Sequence, residues 1–182
     1  MSVALRKLNE NDLERVRLWR MDPDITKYMN TNPKLTPEGQ KIWFEKISNN
    51  PDVSYYMILV DGQEAGVLNL TGLCREDGVL GWAYYVGEKK LRSLKTALYL
   101  EMGVYDYIFG RLGKKALISD VFTLNKGVIQ LHLLCGCRVV EEKKNHIQKE
   151  GISYDVTFME MTGEMWKEIG PTKPHEALDF PE

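Results

Sequence analysis

Residues 79–97 read VLGWAYYVGEKKLRSLKTA, a strand that runs into a helix through a basic turn. Trp82, Tyr84 and Val86 alternate with Ala83 and Tyr85, the two-residue period of a strand, and the strand ends at Gly87. From Leu94 the apolar residues change period. They recur at Ala97, Leu98, Met102, Tyr105, Ile108, Phe109 and Leu112, one stripe of a helix several turns long. Lys89, Lys90, Arg92 and Lys95 fill the turn and the start of that helix. Free N–H groups and the positive end of a helix dipole face outward at such a junction, so cations there make an anion site. The same residues also fit an ordinary strand–helix connection with solvated lysines, and the turn by itself leaves both readings standing.

Upstream, Val3 to Leu8 reads as an opening strand. Asn11, with Glu14 three residues on, reads as the capping box of a helix that carries Leu13, Val16 and Trp19 to about Met21. Proline and Asx residues between Met21 and Lys34 predict turns, with a short helical turn at Tyr28 and Met29. Thr36 and Pro37 are the cap and first residue of a helix whose expected buried face is Ile42, Trp43, Phe44 and Ile47. Ser54–Val60 and Glu64–Leu73 pair through the hairpin signal Asp61-Gly62, and a turn at Arg75–Gly78 leads into the strand that ends at Gly87.

Downstream, the long helix stops near Gly110 or Gly113, Lys114–Asn125 is a strand, and Lys126–Leu134 is a short helix ended by Gly136. Cys137–Ile147 and Gly151–Thr162 form a hairpin around Lys149–Gly151. The tail from Lys167 reads as a polar surface extension, which leaves residues 1–166 as one domain. The order β-α-α-β-β-β-α-β-α-β-β predicts a mixed α/β layer fold around a sheet of about seven strands.

With 182 residues, 43% of them hydrophobic, the chain is large enough for one real core. A formal charge of −2 without a dominant Lys/Arg block excludes a general nucleic-acid binder, and leaves room for a local basic patch toward one small anion. The start, MSVALRKLNEND, turns polar too early for a signal peptide, and no apolar run approaches the roughly 20 residues that span a bilayer. A cytoplasmic, non-membrane protein is expected. The cysteines are Cys74, Cys135 and Cys137; Cys135-Gly-Cys137 is too tight for a structural zinc spacing, so reduced, mostly packed thiols and no metal are expected. The sequence is silent on oligomeric state and leaves room for a homodimer.

The element order, with its turn at Arg92, resembles the GNAT N-acetyltransferase superfamily over roughly Val3 to Met165. Arg92-Ser-Leu-Lys95-Thr-Ala97 is similar to that family's Q/R-x-x-G-x-G/A pyrophosphate loop, with Lys95 in place of the central glycine. The glycine allows close backbone approach to phosphate; a lysine offers a flexible charge instead, or abolishes binding. Asn125-Lys-Gly-Val-Ile-Gln-Leu-His132-Leu-Leu-Cys-Gly136-Cys137 resembles N-x-x-A-I-x-x-Y-x-K-x-G-F, with Asn125 and Gly136 kept, Cys137 replacing the aromatic, and His132 at the tyrosine that commonly protonates the departing thiolate.

More narrowly, Leu18-Trp19-Arg20-Met-Asp-Pro23-Asp24-Ile25-Thr-Lys-Tyr28-Met29 and the aromatic pair Trp43-Phe44 are similar to enzymes of nonulosonic (pseudaminic-type) acid biosynthesis, which acetylate a UDP-linked 4-amino-4,6-dideoxy sugar. Gln40 stands where those enzymes often carry histidine. Ribosomal-protein N-terminal acetyltransferases share the W-R pattern more loosely.

The resemblance implies a GNAT-like mixed seven-stranded sheet with helices on both faces, splayed between its central strands and bulged beside acetyl-CoA, the cosubstrate. For acetyl-CoA it implies contacts from Tyr85, Val86, Gly87, Lys90, Leu91, Arg92, Ser93, Lys95, Thr96, Ala97 and Asn125, with an oxyanion donor near Val86. For the acceptor it implies Tyr28, Trp43, Thr71 and Tyr84. His132, at i+4 from Val128, falls on the inward face of its helix, and a histidine there transfers protons near neutrality or is simply packed against a carbonyl. Asp120 ends the apolar run ALIS; at this offset the similar sugar enzymes place a carboxylate that acts as base through water, and a structural ion pair is the other reading. A UDP-amino sugar is thus the expected acceptor, with a protein N-terminus or small amine as the alternative. A non-catalytic acyl-CoA-binding module is the third reading, raised by Lys95.

Overall fold

The computed structural model describes every residue except Pro174, Ala177, Asp179 and Glu182. Seven strands form one sheet in the order β1-β2-β3-β4-β5-β7-β6. They are β1 (Val3–Lys7), β2 (Val53–Val60), β3 (Gln63–Thr71), β4 (Val79–Val86), β5 (Ala116–Phe122), β6 (Arg138–Lys149) and β7 (Ile152–Thr162). The helices α1 (Leu13–Met21), α2 (Pro23–Thr26) and α3 (Pro37–Ser48) pack on one face, and α4 (Leu94–Tyr105), α5 (Lys126–Cys135) and α6 (Gly163–Ile169) contribute to the larger core on the other.

Every neighbouring pair is antiparallel except β4 and β5. That parallel pair is short, matching only Val79–Gly81 with Ala116–Ile118. Beyond it β4 follows β3, β5 follows β7, and the sheet opens into a V. Trp82 and Ser119 are the first residues past the last pair on each strand, and the Trp82 indole N–H donates to Ser119 Oγ at 2.7 Å, tying the apex together. The splay expected from the resemblance is present. The bulge is not where it was expected: the β3–β4 register runs unbroken from Gly66–Val86 to Thr71–Gly81, and the shift lies between β2 and β3 at Ile58/Leu59.

Alternation assigns the faces. Leu68, Leu70, Trp82 and Tyr84 point toward α4 and α5, whereas Val67 and Tyr85 meet Trp19, Trp43 and Phe44 from α1 and α3. Gly66 permits the close approach of β3 to β4, since a Cβ there would run into the Tyr85 carbonyl oxygen. Gly66→Ala is expected to cost about 1–3 kcal/mol in urea unfolding. Gly127→Ala, with open space around the glycine, is expected to be neutral or stabilising.

Several sequence expectations need correction. The first cap is Asn9, whose side chain accepts from Asn11 N–H, while Asp12 accepts from Asn9 N–H at 2.8 Å and from both ends of Arg6 at 2.7 Å. A short 3-10 turn (Glu10–Asp12) therefore precedes α1, and Asn11–Glu14 is not its capping box. On α3 Trp43, Phe44 and Ile47 pack on the core as expected, but Ile42 is 68% exposed and Gln40 is buried where the helix borders the cleft. The long helix continues as a π-helical turn, Asp106–Arg111, before ending at Gly113.

The tail is not a surface extension. Phe180 is 2% exposed, stacked on Tyr107 at 3.8 Å and edge-on to Tyr56 at 5.3 Å, and Leu178 lies against Gly103 of α4. His175 Nε2 bonds Asp106 Oδ2 at 2.6 Å, and Lys173 donates to the Leu134 carbonyl at 3.0 Å. The apolar surface of Phe180 and Leu178 supplies the driving force that a polar-looking tail conceals. The tail positions at 174, 177, 179 and 182 lie outside the described residues. Among the described residues no helix is long and apolar enough to cross a membrane.

Candidate active site

The V holds a cleft of about 1160 Å³, lined from both halves of the sheet. One wall carries Tyr84, His132, Val128 and Asn125, and the opposite mouth carries the α2–α3 loop, Trp43 and Tyr55.

His132 lies at the centre of the first wall, 3% exposed, with its ring 5.9 Å from that of Trp82. Its Nδ1 is 2.9 Å from Glu101 Oε2 on α4, which is wholly buried. The same carboxylate accepts from Tyr105 Oη at 2.9 Å and Tyr84 Oη at 3.1 Å. Burial, reinforced by the Glu101 charge, holds both phenols well above their ordinary range, so they act as donors. With both phenols donating to it, Glu101 is the acceptor of the cluster, and it meets His132 through Nδ1. That leaves Nε2 as the nitrogen available to the cleft. Burial also raises the neighbouring thiols, with Cys137 pushed up to about 12, so they serve as packing groups. Cys74 is exposed and Cys135 and Cys137 are buried, all three unpaired with one another.

The open edge of β4 supplies backbone groups. The Tyr85 carbonyl faces Gly66 of β3, so the N–H and C=O of Tyr84 and Val86 face the other way, toward the opening. Arg92 Nε donates to the Val86 carbonyl at 2.8 Å across that edge. At the start of α4, Ser93 Oγ accepts from Thr96 N–H at 3.0 Å, leaving the Leu94 and Lys95 N–H groups ahead of it without a helical partner.

Of the residues expected at acetyl-CoA, Tyr85, Val86, Arg92, Ser93, Ala97 and Asn125 line the cleft. Gly87, Lys90, Leu91, Lys95 and Thr96 stand outside that lining. Gly87 is needed for Trp19, whose indole occupies the place of a Cβ. Thr96 is 1% exposed, with its hydroxyl on Ser93 Oγ at 2.8 Å, so it closes the loop internally. Lys95 lies over Tyr99 at 5.4 Å. Lys89 is ion-paired with Asp24 and is not free for a phosphate.

On the acceptor side Tyr28, Trp43 and Tyr84 border the cleft. Trp43 also packs edge-on to Tyr55 at 5.2 Å, and Tyr84 spends its hydroxyl on Glu101. Thr71 is a correction: it pairs with Gly81 at the closed end of the V, away from the cleft lining. Asp120 is exposed and, by alternation from the inward Ser119, stands on the acceptor face; Asn30 Nδ2 approaches it at 3.5 Å. No ion pair of Asp120 occurs among the described residues.

Sequence reasoning missed Glu101 and Arg20. The signal for Glu101 was a lone carboxylate in the apolar run LYLEMGVY, and Arg20 was quoted only within a motif. Arg20 lines the cleft, bonds Met29 Sδ and Thr31 Oγ1, and has no carboxylate partner among the described residues. Lys27, Lys34 and Arg92 are likewise cleft cations without an ion pair there. No group of three or more metal-ligating side chains occurs among the described residues.

Comparison with known proteins agrees with this geometry. Residues 2–138 match the acetyltransferase (GNAT) domain family model. The chain is 22% identical over 139 residues to acetyltransferase PseH of Campylobacter jejuni, covering 76% of this chain and 85% of the relative. A spermidine N-acetyltransferase from Vibrio cholerae, solved with CoA and spermine, superposes with a TM-score of 0.84 at 16% identity, over 91% of this chain and 98% of the other. The aminoglycoside acetyltransferase AAC(6')-Ib, solved with coenzyme A, gives 0.75 at 16% identity, over 92% and 98%. With most of its length matching that family and the splayed sheet in place, the chain belongs to the GNAT acetyltransferases, whose acyl donor is acetyl-CoA.

Proposed function

We propose that the protein transfers acetyl from acetyl-CoA to the amine of an anionic, nucleotide-linked amino-deoxy sugar. The observation that carries this reading is the charge of the cleft. Arg20, Lys27 and Lys34 line its acceptor side without an ion pair among the described residues, whereas its two carboxylates are Asp24, held by Lys89, and Asp120, which meets Asn30 at 3.5 Å. A diphosphate gains from such a cleft, and a polyamine is repelled by it. Tyr28, Trp43 and Tyr55 add flat apolar surface for a base or sugar ring. The sequence resemblance to the nonulosonic-acid enzymes points the same way.

In the mechanism the amine attacks the thioester carbonyl directly. The outward Val86 N–H is a preorganised donor for the developing oxyanion. Asp120, on the acceptor face, takes the proton that the ammonium must lose, through water. Attack leaves a second N–H proton to be lost as the amide forms; water relays it to His132 Nε2, which gives it to the sulfur as the C–S bond breaks, while Glu101 holds the ring in place. Arg92, Ser93, Ala97 and Asn125 border the path of the cosubstrate.

The test is thiol release from acetyl-CoA with a UDP-linked 4-amino-4,6-dideoxyhexose against spermidine. We expect kcat/KM at least about 100-fold higher for the sugar, a difference of roughly 2.7 kcal/mol in transition-state binding. Preference for spermidine overturns the acceptor reading. Acetyl-CoA binding with no thiol release on any amine selects the non-catalytic module.

A further inference from the structure

The Lys149 ammonium is 7% exposed and faces no carboxylate among the described residues. It donates instead to three backbone carbonyls, Thr26 at 3.0 Å, Lys27 at 3.1 Å and Met29 at 2.9 Å, which uses all its N–H groups. Beneath it lie the rings of Phe122 and Tyr154, stacked on each other at 4.7 Å, with their centroids 5.3 and 5.4 Å from the charge.

Lys149 ends β6, on the β5–β7–β6 half of the split sheet, whereas its carbonyl partners run from the last residue of α2 into the α2–α3 loop on the other half. That loop lines the acceptor side of the cleft through Lys27, Tyr28, Met29, Asn30 and Thr31. Its other cationic ties come from α1: Arg17 to the Leu35 carbonyl at 3.1 Å and Arg20 to Thr31 Oγ1 at 3.2 Å. Both act from the loop's own side. Among the described residues, this loop's other hydrogen bond to the far half of the sheet is the long Asn30–Asp120 contact at 3.5 Å.

We propose that Lys149 is a positioning residue for acceptor recognition, pinning the α2–α3 loop across the mouth of the V and so fixing the width of the acceptor site opposite Asp120. A backbone-carbonyl cage around an ammonium is directional and is indifferent to the loop's side chains. The loop can therefore present Lys27, Tyr28 and Asn30 to an acceptor while its backbone stays anchored. The acetyl-CoA wall, built on α4 and α5, is not touched by Lys149.

The experiment compares the full-length protein with Lys149→Met and with Lys149→Cys in a Cys74→Ser background, before and after aminoethylation with 2-bromoethylamine. Aminoethylation restores an ammonium at lysine length; burial holds the Cys135 and Cys137 thiols well above their ordinary range, Cys137 at about 12, so they react slowly, and peptide mass mapping selects protein alkylated at position 149 alone. For Lys149→Met, we expect KM for a UDP-linked 4-amino-4,6-dideoxyhexose to rise about tenfold or more, with kcat within about threefold and CoA affinity unchanged. Amide hydrogen exchange should quicken about tenfold or more at residues 27–31 and stay the same in α4. Aminoethylation should reverse both effects.

Unchanged KM, or exchange that quickens in α4 as well with CoA affinity lost, overturns the proposal. The kinetic arm rests on the acceptor reading above. If the parent protein does not turn over the sugar, that reading fails by itself, and the exchange arm with its chemical rescue still decides the role of Lys149. Should Lys149→Met not fold, Lys149→Arg carries the same readouts.

Discussion

Glu101→Ala is expected to lower the unfolding free energy by about 3–5 kcal/mol, the largest loss of any single change at the site. The carboxylate is fully buried and is the shared acceptor of Tyr84, Tyr105 and His132. Removing it leaves those donors in the core without partners, and each unmet donor carries its own desolvation cost. Glu101→Gln separates stability from chemistry. It keeps the volume and one acceptor oxygen, so it should unfold at higher denaturant than the alanine variant. It no longer stabilises an imidazolium, and its NH2 group competes for the lone pair of Nδ1, so kcat should fall about tenfold or more. Chemical denaturation and initial rates on both variants make the check. An alanine variant as stable as the parent would mean that Glu101 is dispensable to the core.

His132→Phe is expected to lower kcat by about 10²–10⁴ while CoA affinity stays within about threefold. The ring borders the cleft but its polar partner is Glu101, and the groups facing the cosubstrate path are β4 backbone, Asn125 and the start of α4. Phenylalanine fills the same slot beside Trp82 and forfeits proton transfer at Nε2. Combining His132→Phe with Glu101→Gln should cost little more than His132→Phe alone, because the carboxylate acts through the ring. Near-normal turnover by His132→Phe would remove the residue from the mechanism.

The β4-to-α4 unit was legible because it is a local signal: the apolar period switches from two to 3.6 within one short stretch, and nothing distant has to be known. His132 was legible for the same reason, lying at i+4 from Val128 on a short amphipathic helix. Glu101 was not, because its burial depends on donors from β4 and α5 as well as its own helix. In sequence it is only a carboxylate beside Met102. Lys149 looked like a turn lysine, and its carbonyl partners are more than a hundred positions away. Thr71 failed because strand position does not say whether a residue meets the closed or open end of the V, and Ile42 because it lies on the outer side of α3, next to the residues that pack. Lys95, the departure from the glycine pattern, lies over Tyr99 outside the cleft lining, which removes the direct objection to cosubstrate binding there.

The docking of Phe180 between Tyr56 and Tyr107 changes where this enzyme can be cut. The family match stops at residue 138, yet β7 runs between β5 and β6 and gives Val156, Met159 and Met161 to the interior. A fragment trimmed to the recognisable motif would expose a raw sheet edge, and one trimmed at Met165 would open a void against β2. Whoever shortens this polypeptide should count the aromatic ring near its far end as part of the enzyme.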